Sequence, residues 1–270
     1  MTIWVAMLLG LVQGLCEFLP VSSSGHLLLL QKMFGITEGA MFFSVMLHLA
    51  TLVAVLIVYW KITWRLIRRP INRTVGLLLL ALIPTVLVAL LFKKVEPFKT
   101  FYDNAEAGAY LGFCFLITSV LLTVSDRLRI PRGSRRKLAD MRLADALVVG
   151  GMQAVGVMPG VSRSGRTISG ALFAGLTRKA AADFSFLLSI PSIVGGAVLE
   201  IPDALEQGLP ADMHWTCIVA GMIVAGVTGY FAILLALSAI KKKKLWGFAI
   251  YTAVLGALVL LDQFVLHKFF

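Results

Sequence analysis

Long apolar segments dominate this chain and restrict it to one kind of fold. Six of them are long enough to cross a bilayer as helices, which takes about 20 residues each. They cover residues 40–60, 74–92, 106–125, 181–200, 215–239 and 245–266. Of the 270 residues, 59% are hydrophobic and only 14% are charged, whereas soluble domains are roughly 45–50% apolar and about 25% charged. The sequence therefore predicts an all-α polytopic membrane protein with six transmembrane helices.

The net charge of +11 is concentrated in the connectors between these segments. Three connectors are strongly basic, namely 61–73, 126–142 and 241–244, while the connector 200–214 has no Lys or Arg. Short cytoplasmic loops are enriched in Lys and Arg, so this pattern places the basic connectors in the cytoplasm and both termini on the outer side. It also explains the charge without a nucleic-acid partner, because too little polar sequence is left to build a soluble binding surface.

Two further apolar segments, 3–31 and 144–174, are each interrupted midway by Pro, Gly and a serine cluster. Such a break frees backbone N–H and C=O groups that lipid cannot satisfy, so it is tolerated only where protein buries it or where it lines a wet cavity. We therefore expect both segments to be re-entrant helix–loop–helix hairpins. We call EFLPVSSSGH (17–26) the first elbow and VMPGVSRSGRT (157–167) the second elbow.

The two elbows belong to an internal repeat. VSSSGH at 21–26 matches VSRSGR at 161–166, 140 residues later. Identical pairs at the same spacing are Gly10 with Gly150 and Gln13 with Gln153. Each half has one broken segment and three spans, and three is odd, so we expect an inverted-topology repeat that brings the elbows together near the membrane midplane. The predicted single membrane domain, 1–270, comprises repeat one (about 1–125), the basic connector 126–142 and repeat two (about 143–270).

The second elbow contains the groups of an anion site. Arg163 is flanked by serines inside apolar sequence, at the start of a predicted helix. Hydroxyls and glycine amides surround it, from Gly160, Ser162, Ser164, Gly165 and Thr167. A guanidinium together with hydroxyls and helix N-terminal amides binds phosphate or carboxylate. The alternative for the arginines here is snorkelling to the cytoplasmic interface; we favour the anion site for Arg163 and assign no role to Arg166.

The first elbow adds groups that an anion site alone does not need. Ser23 is a candidate nucleophile, and His26, three residues later on the same helical face, is a candidate proton carrier. Glu17 would repel an anionic substrate unless a divalent cation lay between them, so it is a candidate ligand for Mg²⁺ or Ca²⁺, or a base. Gln13 shares its face and adds an oxygen ligand or a donor. The alternative for Glu17 and His26 is a structural hydrogen-bonded pair, and we interpret His48, in an ordinary span, as a core histidine.

QGLCEFLPVSSSGH followed by PGVSRSGRT resembles the motifs of the undecaprenyl-diphosphate phosphatase family, the bacitracin-resistance proteins of bacterial membranes. The resemblance covers essentially the whole chain. It implies hydrolysis of a long-chain polyprenyl diphosphate to the monophosphate carrier lipid of peptidoglycan synthesis. With the orientation above, it implies an inner-membrane enzyme whose active site opens on the outer side.

The resemblance also assigns residues. The (E/Q)xxxE motif of the family falls on Gln13 and Glu17. Its serine-glycine-histidine motif falls on Ser22, Ser23, Ser24, Gly25 and His26, and its PGxSRS motif on Pro159, Gly160, Ser162, Arg163 and Ser164, with Thr167 after it. Because Gln rather than a second carboxylate stands at position 13, a tightly held two-carboxylate metal site is disfavoured.

A transporter or polyprenyl-phosphate flippase is the rival function, since inverted repeats with broken helices are typical of secondary transporters. Moving a phosphate headgroup needs Arg163, but it needs neither a nucleophile nor a proton carrier, so Ser23 and His26 favour a hydrolase. The sequence leaves open whether Ser23 or a metal-bound water attacks. A glycine-rich face is interpreted as helix packing within the subunit, with a homodimer contact as the alternative; it comprises Gly221, Gly226 and Gly229.

Overall fold

The structure is a computed structural model that describes residues 1–37, 39–128, 135–155, 159–206, 214–242 and 245–270, without the side chains of 203–206. The first half contains α1 (Ile3–Phe18), α2 (Ser23–Met33), α3 (Ala40–Val58), α4 (Trp60–Arg68), α5 (Arg73–Lys94), α6 (Phe98–Glu106) and α7 (Leu111–Arg127). The second half contains α8 (Leu143–Ala154), α9 (Arg163–Phe173), α10 (Arg178–Glu206), α11 (Trp215–Lys241) and α12 (Leu245–Leu261). Parts of the connectors 126–142, 200–214 and 241–244 and of the second elbow lie outside the described residues.

In the part of the chain that the structure describes, five helices are long and apolar enough to cross a membrane: α3, α5, α10, α11 and α12. The pair α6 and α7 makes a sixth candidate, although a bend of 92° separates the two helices. The predicted span 106–125 therefore begins too early. Gly108 adopts a left-handed backbone conformation (φ +89°), which separates α6 from the start of α7 at Leu111. The chain is thus a helical protein with five or six candidate membrane-spanning helices.

Each broken segment consists of two short helices. Those of the first have 16 and 11 residues and those of the second 12 and 11, all below the roughly 20 that a span requires. Met1, at the start of α1, packs in the same apolar cluster as Leu30, near the end of α2. Arg136 bonds both Asp145 in the first turn of α8 and the carbonyl of Ala174 after α9. In the second pair, the first helix therefore begins where the second helix ends.

The first helix of each broken segment packs against a long helix of the other half. α1 packs on α11, where a Cβ at Gly10 would overlap the carbonyl oxygen of Gly221. α8 packs on α5, where a Cβ at Gly150 would overlap the carbonyl oxygen of Ala81. The identical glycines of the repeat thus allow the same close contact in both halves, because any side chain would collide with backbone.

The glycine-rich face of α11 also packs within the chain. A Cβ at Gly221 would lie 2.8 Å from the ring of Phe43 on α3. A Cβ at Gly229 would lie 3.3 Å from Ala54 on α3 and 3.4 Å from Phe18 on α1. Packing within the subunit, the favoured interpretation of this face, is confirmed.

Two of the basic connectors meet at one end of the helix bundle. Arg73, at the start of α5, donates to the carbonyl of Met141 at 2.8 Å, shortly before α8. Arg178, at the start of α10, pairs with Asp126, at the end of α7, at 2.7 Å. The connectors 61–73 and 126–142 therefore lie on the same side of the protein.

Candidate active site

The two elbows are joined by a reciprocal pair of hydrogen bonds. The hydroxyl of Ser24 in the first elbow accepts a hydrogen bond from the backbone N–H of Gly160 in the second, at 3.2 Å. Ser164, the residue that matches Ser24 in the repeat, donates to the carbonyl of Leu19 in the first elbow, at 3.1 Å. Both serines were predicted to bind substrate; in the structure they hold the elbows together.

A serine also caps the second helix of each broken segment. Ser22 accepts a hydrogen bond from the N–H of Gly25 at 3.2 Å, and Ser162 accepts one from the N–H of Gly165 at 3.1 Å. Serine is a preferred N-cap residue because its oxygen satisfies an amide that the helix itself leaves unpaired. These four residues, also predicted to bind substrate, form the starts of α2 and α9.

Two further predicted binding residues shape the second elbow. Gly160 has φ +98°, a conformation that favours glycine, and a Cβ there would lie 2.9 Å from the side chain of Cys114 on α7. The hydroxyl of Thr167 is hydrogen-bonded to that of Ser185 on α10 at 2.5 Å. Gly160 therefore makes the turn, and Thr167 fixes α9 against α10.

Glu17 is hydrogen-bonded to polar side chains from both elbows. Its Oε1 accepts a hydrogen bond from Arg163 Nη2 at 2.5 Å. Its Oε2 accepts from Ser23 Oγ at 2.6 Å and from Gln13 Nε2 at 3.0 Å. The Glu17 side chain is only 4% exposed and that of Arg163 19%, so the ion pair compensates for burying a carboxylate. The structure thus brings four predicted site residues, from both halves of the chain, into one cluster.

His48 also faces this cluster, which corrects its interpretation as an ordinary core histidine. Its Nε2 lies 3.5 Å from Glu17 Oε2, and its Nδ1 lies 2.7 Å from the carbonyl oxygen of Ser44. The sequence offered a signal: FSVMLHLAT at 43–51 aligns with FSFLLSIPS at 184–192, 141 residues later. This alignment matches His48 with Ser189, so the position is polar in both copies. Hydropathy alone could not reveal the contact, because it depends on how α3 packs beside α1.

His26 faces away from the Ser23 hydroxyl. Its Nδ1 lies 2.6 Å from the carbonyl oxygen of Ser22, and its Nε2 lies 2.7 Å from the hydroxyl of Tyr251 on α12. Ser23 donates instead to Glu17. The spacing of three residues places Ser23 and His26 on one helix, but the expected hydrogen-bonded serine–histidine pair is not formed. Sequence analysis missed Tyr251, which lies far from both elbows in the chain.

Arg166, to which the sequence assigned no role, bonds backbone carbonyls on both sides of the second break. It is buried, and it donates to the backbone carbonyls of Gln153, Val161 and Ser162. Unpaired carbonyls in an apolar interior are costly, and the guanidinium has five donors with which to satisfy them. Arg166 therefore stabilises the second elbow and does not snorkel to the interface.

The side chains around Glu17 show whether the site could hold the expected divalent cation. Among the residues that the structure describes, no three His, Cys, Asp or Glu side chains form a metal centre. Gln13 Oε1 is buried, however, and has no hydrogen-bond partner within the same part of the chain. Mg²⁺ is usually held by one or two carboxylates together with substrate phosphates. The residues therefore fit a cation shared by Glu17, Gln13 and a phosphorylated substrate, but not one caged by the protein alone.

The fold and this cluster define a helical membrane protein with a buried, charged site between two broken segments. The family model described as bacitracin resistance protein BacA matches residues 6–258, and the chain belongs to this family. It is 41% identical to the undecaprenyl-diphosphatase of Carboxydothermus hydrogenoformans, over 96% of both chains. It is 40% identical to undecaprenyl-diphosphatase 4 of Bacillus thuringiensis subsp. konkukian, also over 96% of both chains. The undecaprenyl-diphosphatase of Alkaliphilus metalliredigens is 39% identical, over 97% of this chain and 98% of its own.

Proposed function

We propose that this protein is a membrane phosphatase that hydrolyses undecaprenyl diphosphate to undecaprenyl phosphate and inorganic phosphate. One observation carries the proposal: Arg163 of the second elbow and Ser23 of the first converge on the same carboxylate, Glu17. A phosphate-binding group, a nucleophile and a base are thereby adjacent. The names of the relatives support the substrate, and the family description supports a role in bacitracin resistance through recycling of the carrier lipid of peptidoglycan synthesis.

In this mechanism Arg163 holds the terminal phosphate. Its planar guanidinium matches the geometry of phosphate oxygens. Its Nη1 is buried and has no hydrogen-bond partner among the described residues, so it has donor capacity beyond the bond to Glu17. Phosphoryl transfer depends mainly on positioning and on neutralising negative charge, which is what an arginine beside the nucleophile provides.

Ser23 attacks the terminal phosphorus. Its Oγ forms a bond to phosphorus, the bond from phosphorus to the bridging oxygen breaks, and undecaprenyl phosphate leaves. The hydroxyl proton of Ser23 passes to Glu17, which already accepts a hydrogen bond from it at 2.6 Å. Water then attacks the phosphorus of the phosphoserine, and the bond from phosphorus to Ser23 Oγ breaks. Glu17 returns its proton to Ser23 Oγ and takes one from the water, phosphate is released, and Glu17 finally loses that proton to solvent. Glu17 thus takes the base role that the sequence assigned to His26, because Glu17 is the group that Ser23 contacts.

The proposal includes a divalent cation, Mg²⁺ or Ca²⁺, held by Glu17 and Gln13 together with the diphosphate. When bound, it would neutralise negative charge on the phosphates. A chelator is expected to lower phosphate release at least about tenfold, and added Mg²⁺ should restore it. Unchanged release in the presence of chelator would contradict this part of the proposal.

The proposed architecture is an inverted-topology repeat of six spans with two re-entrant hairpins. Three observations support it. The second broken segment begins and ends at one end of the bundle, α1 and α8 pack on α11 and α5 of the opposite halves, and Ser24 and Ser164 make reciprocal bonds. An odd number of spans between matching hairpins gives them opposite orientations, so their breaks can meet inside the protein.

In the proposed orientation, both termini and the opening of the site lie on the outer side of the bacterial inner membrane. Two basic connectors share one end of the bundle, which the enrichment of Lys and Arg in cytoplasmic loops places inside. A cysteine at Lys99, on α6 at the other end, should react with a membrane-impermeant thiol reagent in intact cells, and a cysteine at the fully exposed Ile71 should not. The buried native cysteines, Cys16, Cys114 and Cys217, should give little background. Labelling of the cysteine at position 71 alone would indicate the opposite orientation.

The function itself is tested with purified, detergent-solubilised protein and a long-chain polyprenyl diphosphate. We expect release of one inorganic phosphate per lipid, with the monophosphate lipid as the other product. In vesicles, movement of polyprenyl phosphate across the bilayer without release of phosphate would favour the flippase instead. Hydrolysis uses the short hydrogen bond between Ser23 and Glu17 to activate the serine, whereas transport does not require it.

A further inference from the structure

We propose that α4 lies in the interface between the bilayer and water and binds anionic phospholipids there. Only Tyr59 separates α4 from α3, a helix long and apolar enough to cross the membrane, so α4 begins at a membrane surface. In the proposed orientation this is the cytoplasmic surface. The inference concerns a surface outside the two elbows, and it does not depend on the hydrolysis.

One side of α4 rests on the protein. Leu66 packs against the apolar core cluster that contains Tyr59, and both Leu66 and Thr63 are half-buried. No residue of α4 is fully buried. The helix therefore lies against the bundle along one side and leaves its other sides without a protein contact of this kind.

A second side of α4 is apolar and exposed. Trp60, Trp64 and Ile67 are 57%, 41% and 63% exposed. Successive residues of an α-helix are about 100° apart, so these three share an arc of about 60°. The indole rings of Trp60 and Trp64 are stacked, with their centroids 5.3 Å apart. Tryptophan is enriched where a membrane meets water, because its ring is apolar and its N–H is polar. This side therefore faces the boundary between acyl chains and headgroups.

A third side of α4, next to the apolar one, is cationic. Lys61, Arg65 and Arg68 are exposed and share another arc of about 60°. Within the part of the chain that the structure describes, none of the three forms an ion pair. The guanidinium of Arg68 lies 4.7 Å from the centroid of the Trp64 ring, where the apolar and cationic sides meet. An arginine at that depth matches the geometry of a headgroup phosphate.

The charge of α4 selects an anionic lipid. The helix has three cations and no carboxylate. A short helix with Lys and Arg on one face and Trp on another lies in the membrane interface, and clustered cations beside a span attract anionic headgroups. By contrast α6, which is also nine residues long, has one lysine and two carboxylates. A net positive charge is therefore a property of α4, and not of every short helix at an end of this bundle.

The proposal is tested by quenching of tryptophan fluorescence in reconstituted vesicles. The chain has five tryptophans. A reporter chain keeps Trp60 and Trp64 and carries phenylalanine in place of the other three, Trp4, Trp215 and Trp246. The vesicles contain equal amounts of phosphatidylglycerol, which is anionic, and phosphatidylcholine, which is not. Bromine atoms, which quench tryptophan on contact, are placed on the acyl chains of one lipid or the other.

Two results are expected from the reporter chain. Bromine near the headgroup should quench more than bromine near the end of the acyl chain, because α4 lies in the interface. Brominated phosphatidylglycerol should compete for the tryptophans at least about threefold better than brominated phosphatidylcholine. This preference should decrease at high salt concentration, since salt screens exposed charges.

A variant without the cations of α4 tests the site. In Lys61→Gln/Arg65→Gln/Arg68→Gln, the preference for phosphatidylglycerol should fall to about one, because the attraction of the cations is lost. All three side chains are exposed, so the variant should unfold at the temperature of the reporter chain, which circular dichroism checks. The matched control removes three exposed lysines at the other end of the bundle and should keep the preference: Lys94→Gln/Lys99→Gln/Lys268→Gln.

Four outcomes would overturn the inference. Absence of quenching by either lipid would place α4 in water. Equal quenching by both lipids in the reporter chain would show that the helix does not select an anionic headgroup. A preference that persists without the three cations of α4, or one that the control variant loses as well, would show that the selection does not come from this helix.

Discussion

The two elbows share one supporting frame and carry different chemistry. In both, one serine caps the second helix, and another, two residues later, bonds the opposite elbow. The residue between these serines is Ser23 in the first elbow and Arg163 in the second. The comparison shows that the repeat has kept the bonds that make a break tolerable inside a membrane protein and has changed the side chain at its centre.

The two central residues, Ser23 and Arg163, have complementary roles in the proposed reaction. Two identical elbows would supply either two guanidinium groups or two hydroxyls, whereas the proposed phosphoryl transfer uses one of each. The carboxylate also occurs in one elbow only. The position that matches Glu17 in the second elbow is Val157, which lies outside the described residues. Glu17 joins the unlike residues, since it bonds Ser23 and Arg163 at once.

The largest expected effect is that of Ser23→Ala, which removes the proposed nucleophile from the first elbow. We expect kcat to fall at least about 10³-fold with little change in KM, because Arg163 supplies most of the binding. Phosphate release at varied substrate concentration measures both parameters. Ser189→Ala, at a buried serine that donates to the carbonyl of Phe186 in its own helix, α10, is the matched control. Substantial residual turnover in Ser23→Ala would make water the attacking group and Ser23 a phosphate contact.

Arg163→Lys tests the second elbow while keeping its charge. Lysine is a point charge without the fork that grips two phosphate oxygens, so kcat/KM should fall by about 100-fold. Arg127→Lys, at an exposed position at the end of α7, should leave kcat/KM within about twofold of the wild type. Near-normal activity in Arg163→Lys would contradict the bidentate role.

The exchanged packing of the two halves predicts equal losses of stability in Gly10→Ala and Gly150→Ala. Each added methyl would overlap a backbone carbonyl of the facing helix, at a cost of about 1–3 kcal/mol in the free energy of unfolding. Unfolding in mixed detergent micelles measures this. Gly151→Ala, where nothing lies within 4 Å of the added Cβ, should not destabilise the protein. A loss at one glycine only would show that the halves do not pack alike.

The smallest effects are expected for the reciprocal serines. Ser24→Ala leaves the Gly160 N–H without its acceptor, and Ser164→Ala removes one donor from the Leu19 carbonyl, which the Val21 N–H still bonds. Each should cost about 1 kcal/mol of stability. If the two bonds act independently, the double variant should lose the sum within about 0.5 kcal/mol. Ser24→Ala should also lower kcat far less than Ser23→Ala does; equal losses would mean that Ser24 contacts the substrate.

The class of fold and the positions of the breaks could be predicted from the sequence. Backbone groups in lipid must be satisfied internally, so long apolar segments become helices, and the predicted spans 74–92, 181–200 and 215–239 lie within α5, α10 and α11. Matching polar residues at one spacing paired Gly10 with Gly150 and the two serine clusters with each other. The start of the span 106–125 was wrong because hydropathy does not register the left-handed turn at Gly108.

Which of the predicted groups are in contact depends on the packing of the helices and could not be predicted. Spacing suggested that Ser23 pairs with His26, yet Ser23 bonds Glu17 and His26 bonds Tyr251. His48 and Tyr251 reach the elbows because α3 and α12 pack beside them. A local motif fixes which residues share a turn of helix. The partner of each side chain is set by helices that are distant in the chain. The sequence of the motif contains no information about how those helices pack.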